Sequence, residues 1–563
     1  MDDALWVMPR VRDEARAIAS ELGIPLPIAQ VLVNRKIDDP AAARKFLFGT
    51  ATDLNDPYLF AGMKSAVERI RTALARREKI LIFGDYDVDG VLSVVMLHKA
   101  LTSMGGDVDY FIPDRLKDGY GIKDEHIKVV LRRAAKLVIS VDCGIKAAGF
   151  VRGAAAAGVD VVITDHHLPG SELPDAAAVL NPVVEGAGYP ERNLAGVGVV
   201  FKLIEALFAG TALAGGLRHY LKLVAIGTIS DIAELKGENR LLVKHGLKEL
   251  ERVTNPGLRS LIDVCGLAGR RISEGDVGFR IGPRINAAGR MEDADLAVRL
   301  FFSRSADETS AIARRLDELN ARRQRAEEKI FIQAADRIRE HGYDRKYKLL
   351  ILGCDEWHRG IVGIVASRLK EAFGRPAILF SYQDGQAFGS GRSISEFSLI
   401  RCLEESRGRF LSFGGHPHAV GCTLKREDLP EFRRGANAAA EAGLSDEQLR
   451  KKIRIDAGLS FSEIDGAFLG VHERLVPFGV GNPRPVFMTE KVRVVGRPQT
   501  LQGKHLKMGL NGDGRTFEAV GWDRAEWAER IGSGDVIDVA YTFLRSTYRG
   551  EEKLQLSLEA ARP

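Results

Sequence analysis

Three short apolar runs near the start of the chain each end at once in an acid, and this repeated juxtaposition constrains the fold more than any other feature. KILIF (79–83) runs into the Gly-closed acidic stretch GDYDVDG (84–90), KLVISV (136–141) into Asp142, and VDVVIT (159–164) into Asp165, His166 and His167. Helical text lies between them: LSVVMLHKALTSMGG (92–106), closed by Gly, and the small-residue stretch KAAGFVRGAAAAG (146–158). Strands alternating with helices predict βαβ units on a mostly parallel sheet, α/β in class. The runs are almost continuously apolar, as expected of strands covered on both faces. In open parallel sheets the carboxyl ends of the strands meet at one crevice. Asp85, Asp87, Asp89, Asp142 and the 165–167 triplet occupy such ends, and Asp231 follows a fourth apolar run, LVAIGTIS, read as another strand.

Converging carboxylates repel one another, and a cation that neutralises them makes the cluster tolerable. The spacing D-x-D-x-D predicts Asp85, Asp87 and Asp89 on one side of an extended segment. Singly, each motif has a plainer reading: an acidic turn, a helix cap at Asp142, a surface pair at His166 and His167. Jointly, acids at four successive run ends point to a metal centre. Several carboxylates with one or two imidazoles and no thiolate favour Mn²⁺ or Mg²⁺, one or two ions. Cys143, beside Asp142, reads as a small buried residue. Five Cys without a CxxC exclude a disulfide framework and a thiolate zinc site.

Beyond this unit, residues 305–342 carry helix formers without an internal Pro and predict one or two helices joining two lobes. Acids interleave with the arginines there, so a solvated linker is expected. KLLILGC (348–354) and RPAILFSY (375–382) restart an α/β pattern, and a Gly-rich part follows to residue 421. VRVVG, HLKMGLN, TFEAVGW, DVIDVAYTFL and KLQLSLEAA then predict a five-stranded barrel of the OB kind. Lys491, Arg493, Arg497, Lys504, His505 and Lys507 gather on its first strands, which suits a single-stranded backbone. Phe517 and Trp522 are expected in its core, with base stacking as the alternative, since alternation alone does not tell the two faces apart. A net charge of +5 permits a nucleic-acid partner without arguing for one. No window approaches the roughly 20 apolar residues of a membrane span. Acids at the N-terminus, where a leader needs bases, make a cytoplasmic protein the expectation.

GDYDVDG, VDCG, TDHH and ISD, in this order, resemble the DHH phosphoesterases, whose signature is the Asp165-His166-His167 triplet. GPRINAAGR (282–290), WHRGIVGIVASRL (357–369), GSGRS (389–393) and FGGHPHAVG (413–421) extend the resemblance over almost the whole chain, to the family's single-strand-specific DNA exonucleases. The resemblance implies two α/β lobes joined by long helices, followed by the OB barrel. The expected divisions are an N-terminal helical segment (1–55), a DHH catalytic domain (56–250), a connector with the linker helices (251–342), a DHH-associated substrate domain (343–448) and the barrel (449–563). It implies Asp87, Asp89, Asp142, His166 and Asp231 as metal ligands, Asp142 bridging, and Asp85 as a ligand or a supporting group. Asp165 orients the His pair, and His167 contacts phosphate. Arg115, Ser390 and Arg392 are implied to hold a 5′-terminal phosphate, the last two from a Gly-rich loop. Arg284, Asn286 and Arg290 are implied to hold the strand backbone from another loop, and His416 reaches for the scissile phosphate. Many small members carry His four residues before the middle Asp, where this chain has Phe83. The implied activity is 5′→3′ degradation of single-stranded DNA to mononucleotides by metal-activated water, in repair and recombination, by a monomer with helicase and single-strand-binding-protein partners. The alternatives are a short-oligonucleotide or cyclic-dinucleotide phosphodiesterase and a non-catalytic single-strand-binding scaffold.

Overall fold

The computed structural model of the chain describes residues 4–115, 119, 121–548 and 551–563. The first lobe is built on a five-stranded, wholly parallel sheet. Its spatial order is Val108–Phe111, Ile80–Gly84, Leu137–Val141, Asp160–Thr164, Ala178–Leu180. The chain's first strand of this sheet therefore lies between its second and third. Connections leave Ile80–Gly84 and Leu137–Val141 toward opposite edges, and a crevice opens between their carboxyl ends. These two strands are buried along their whole length, because helices cover both faces.

The acidic stretch is not extended. Asp87 caps the helix Val88–Ser103, its side chain accepting from Gly90 N–H, and Asp89 lies in the first helical turn. Capping suits Asp, and the helix N-terminus favours negative charge, so helix geometry wins over an extended D-x-D-x-D. LVAIGTIS is likewise helical: Leu221–Ser230 is a helix and Asp231 its C-terminal cap. A continuous apolar run does not distinguish a buried strand from a buried helix.

The linker is one helix of 35 residues, Ala306–Glu340, begun by Ser305 accepting from Glu308 N–H. It leads into a mixed sheet of order Phe410–His416, Ala419–Lys425, Gln386–Arg392, Ala377–Gln383, Leu350–Cys354. The barrel comprises Phe487–Leu501, His505–Gly512, Arg515–Gly521, Val536–Tyr548 and Glu551–Arg562. It closes because the first of these also pairs with Val536–Tyr548. Three N-terminal helices, Asp13–Leu22, Leu26–Asn34 and Pro40–Phe48, do not stand apart. Ile18, Ile28, Leu32 and Leu47 share one core with Phe461, Leu475, Phe487 and Trp527 of the C-terminal region. Strand Leu5–Val7 pairs in parallel with Lys452–Arg454, so the N-terminal segment is tied to the start of the C-terminal region. Among the described residues, no helix is long and apolar enough to cross a membrane.

Candidate functional site

The carboxylates converge over the crevice. Asp142 follows Val141 in a left-handed conformation, φ 60°, which Asp tolerates better than most residues. The turn is crowded: a Cβ on Gly196 would come within 2.7 Å of Asp142 Oδ1. Only Gly lets the helix Gly196–Phe208 begin so close. That helix start holds Asp89, whose two oxygens accept from Gly196 N–H (2.8 Å) and Val197 N–H (2.6 Å). Burial first, and then the neighbouring Asp87, lift Asp89 to about 7. Burial, and after it neighbouring carboxylates, push Asp85, Asp142 and Asp231 well above the usual range.

His166 stands among these acids. Its Nε2 is 3.0 Å from Asp142 Oδ1, 3.9 Å from Asp231 Oδ2 and 4.0 Å from Asp89 Oδ2. Burial, then His167, pull His166 down to about 4, so the ring is neutral and has a lone pair to give. Asp165 organises the pair. It accepts from the backbone N–H groups of Ile145, His166 and His167 and lies 2.8 Å from His167 Nδ1. Burial, the largest influence, opposes ionisation of Asp165, but the hydrogen bond and charge of His167, the Ile145 N–H and His166 together outweigh it and its pKa falls. Burial is likewise the largest influence on His167 and works against its charge, but the bond to Asp165 and the charges of Asp165, Asp85 and Asp87 together outweigh it, so that pKa rises.

The donor set fits a divalent cation. Asp85 Oδ1, Asp142 Oδ1 and His166 Nε2 are buried atoms without a hydrogen-bond partner, although the last two are only 3.0 Å apart. Buried polar atoms are rarely left so, and one bound ion between them satisfies several at once. Ligand atoms fall within 4.8 Å of one another in three groups: Asp142, His166, His167; Asp89, His166, Asp231; and Asp85, Asp87, Asp142. Asp142 and His166 each belong to two.

Two cavities adjoin. One of about 230 Å³ is lined by Asp85, Asp87, Asp89, Asp231, Asn286, Arg115 and Arg290. The other, about 390 Å³, is lined by Arg359, Gly389, Ser390 and Arg392, and again by Arg115 and Arg290. Burial, then Arg115, pull Arg290 down to about 10, and the same causes in the same order lower Arg359 and Arg392. Among the described residues none of these four arginines forms a salt bridge. Arg115, Arg290 and Arg392 are half-buried and Arg359 is exposed; without a carboxylate partner, their guanidinium groups suit an anion.

Not every expected residue arrives there. Ser390 and Arg392 line the second cavity from the strand Gln386–Arg392, not from a loop. Asn286 and Arg290 come from the helix Gly282–Met291, whose Pro283 sits in its first turn. Pro there is pre-set for a helix start, a signal that outweighs the Gly and Ala around it. Arg284 lies on the same helix but bonds Asp317 of the linker helix at 2.8 Å and lines neither cavity. His416 ends the strand Phe410–His416, exposed and in neither lining. Cys143 is buried and its thiol pKa is raised by that burial. Arg359, stacked 4.0 Å over Phe388, was not singled out from the sequence. Neither was Tyr86, which carries Arg115 at 4.8 Å over its ring. Both stand inside quoted motifs, WHRG and GDYD, and that was their only signal. On the barrel, Trp522 is 51% exposed, not core, whereas Phe517 packs edge-on against Phe461.

Comparison with known proteins agrees with this anatomy. The DHH family N-terminal domain matches residues 79–228, the DHHA1 domain 346–442 and the RecJ OB domain 455–560. The single-stranded-DNA-specific exonuclease RecJ of Bacillus subtilis is 38% identical over 99% of this chain and 70% of its own length. The Escherichia coli protein of the same name is 32% identical over 89% of this chain and 90% of its own. The crystal structure of Thermus thermophilus RecJ in complex with Mn²⁺ superposes with TM-score 0.84 at 28% identity. It covers the whole of this chain and 80% of that one. The same protein is also known in complex with Mg²⁺.

Proposed function

Because the chain belongs to the RecJ family of DHH phosphoesterases, we propose that it is a metal-dependent exonuclease specific for single-stranded DNA, working 5′→3′ and releasing mononucleotides. The observation that carries the reading is the junction of the two cavities through Arg115 and Arg290. A strand end whose terminal phosphate sits among arginines has its next phosphodiester beside the carboxylates.

Asp87, Asp89, Asp142, His166 and Asp231 hold the cations, Mn²⁺ or Mg²⁺, with Asp85 beside them. A divalent ion bound there supplies Lewis acidity, lowering the pKa of a water and offsetting charge on the phosphate. The chain's own residues do the rest. Asp89 is fixed by two backbone N–H groups and so presents its carboxylate in one orientation. Asp165 holds His167 toward its charged form, and that ring donates to the charge developing on phosphorus. Arg115, Arg290, Arg359, Ser390 and Arg392 grip the terminal phosphate, arginine forks matching its oxygens. Asn286 lines the metal cavity and contacts the backbone there. Arg284 acts at one remove, tying its helix to the linker. His416 and the 5′→3′ direction enter on the family resemblance. So do a monomeric state and a helicase and a single-strand-binding protein as partners.

The test is incubation with Mn²⁺ and a single strand, its duplex or a dinucleotide, with products weighed by mass spectrometry. Mononucleotides from the single strand alone are expected. Turnover confined to dinucleotides would overturn the assignment.

A further inference from the structure

Phe279 is 83% exposed, more than any other large apolar side chain among the described residues. It stands at the centre of a five-residue π-helical turn, Val277–Ile281. Such turns are rare, and as single insertions they recur at functional sites, where they re-aim a side chain. This one is docked on the end of the helix that carries Asp231. A Cβ on Gly278 would meet Ile229 Cγ2 at 3.6 Å, and one on Gly282 would come within 2.3 Å of Ser230 Oγ. The residue after Asp231, Ile232, is 68% exposed and has φ 63°. A β-branched residue in that region is a genuine outlier, of the kind kept at working sites. Two uncovered apolar side chains thus flank the Asp231 side of the carboxylate cluster.

A groove starts at Phe279 and is lined further by Pro283, Gln324, Arg325, Ile364 and Arg368. Ile364 also lines the arginine cavity, so the groove borders the site. Glu327 of the linker helix holds Arg323 at 3.0 Å and Arg368, on the helix Val362–Phe373, at 3.3 Å, and Glu328 holds Arg368 at 2.8 Å. Arg325 is exposed and, among the described residues, has no carboxylate partner. An exposed ring and an unpaired guanidinium on a groove that borders a phosphate site form the layout that grips single strands, ring on base and cation on phosphate.

Resting on the exonuclease reading, we propose that Phe279 is a stacking platform for one base of the single strand at the metal centre, with Arg325 on a neighbouring phosphate. The ring accepts any base, because every base has a π-face, and so adds grip without sequence preference.

One abasic site is walked along a 5′-phosphorylated single strand. kcat/KM for release of the terminal nucleotide is measured in Mn²⁺ for the wild type, Phe279→Ala and Phe279→Trp. The wild type should lose about tenfold when the abasic site reaches one register. Phe279→Ala should be about tenfold slower on the intact strand and show no dip at that register. Phe279→Trp should keep the dip. An abasic profile that Phe279→Ala leaves unchanged overturns the stacking role alone. Failure of the wild type to degrade the intact strand overturns the exonuclease reading instead.

Discussion

Replacing Asp142 by Asn should make the metal-free protein more stable and the metal-loaded protein less stable than the wild type. The carboxylate oxygens of Asp85, Asp87 and Asp142 lie within 4.8 Å of one another. Two unit charges at such a distance repel by about 3.5 kcal/mol at an effective dielectric of about 20. Asp142 meets two such neighbours, but burial already raises its pKa and that of Asp85. Proton uptake therefore relieves part of the repulsion, and a net gain of about 1–3 kcal/mol is expected for the metal-free variant. Mn²⁺ at about 1,000 times its Kd adds about 4.1 kcal/mol to the wild type. The variant lacks a carboxylate that belongs to two of the three cation-sized groups, so it should gain little. Melting curves of both proteins, in EDTA and in Mn²⁺, are the assay, and their order should invert between the two conditions. A variant that melts below the wild type in EDTA, or that gains as much from Mn²⁺, refutes the reasoning.

The wild type in EDTA should lose stability as pH rises. Asp89, at about 7 in the fold, keeps a proton there that the unfolded chain has released, so its contribution is full below about 4 and gone above about 7. The loss is at most about 4 kcal/mol, three units at about 1.4 kcal/mol each. Melts at pH 5 and 8 check it, and saturating Mn²⁺ should reverse the trend, since carboxylates must be deprotonated to bind. Asp89→Ala should abolish cleavage while strand binding, read by fluorescence anisotropy, stays within a few-fold. Arg392→Ala should cut the preference for a 5′-phosphorylated over a 5′-hydroxyl end by about ten- to a hundredfold, one charge-assisted contact. An unchanged rate ratio between the two ends would remove Arg392 from the phosphate. On the barrel, Arg497 and Lys504 are exposed, whereas Lys507 is paired with Glu518 at 2.5 Å. Replacing Arg497 and Lys504 together by Ala should reduce the slope of log affinity against log salt by about 1.4; an equal slope would take both off the strand.

The centre of the site was readable where chain order alone sets position. An acid that ends an apolar strand of a parallel sheet can only lie at the crevice, and Asp142 and Asp165 do. What carries Asp231 was not readable, because LVAIGTIS has no alternation that separates helix from strand. Ser390 and Arg392 looked like loop residues because Gly389 and Gly391 flank them. In the fold those glycines admit Phe380 and Val420 against the strand: a Cβ on Gly389 would come within 2.4 Å of Phe380, and one on Gly391 within 2.8 Å of Val420. Arg359 escaped notice because its cavity is assembled from separate stretches of chain, and no local spacing announces such an assembly. The barrel's strands were plain from their alternation. Its partnership with the N-terminal helices was not, since Leu32 and Phe461 share a core across more than four hundred residues and periodicity marks an apolar face without naming what covers it.

The central claim is that a strand enters by its 5′ end, phosphate among the arginines and next phosphodiester among the carboxylates. Its most direct test uses an internally labelled single strand, blocked by a bulky group at one end or the other and incubated with the protein and Mn²⁺. Degradation stopped by the 5′ block and indifferent to the 3′ block is the predicted result. Degradation stopped by the 3′ block alone would contradict the account.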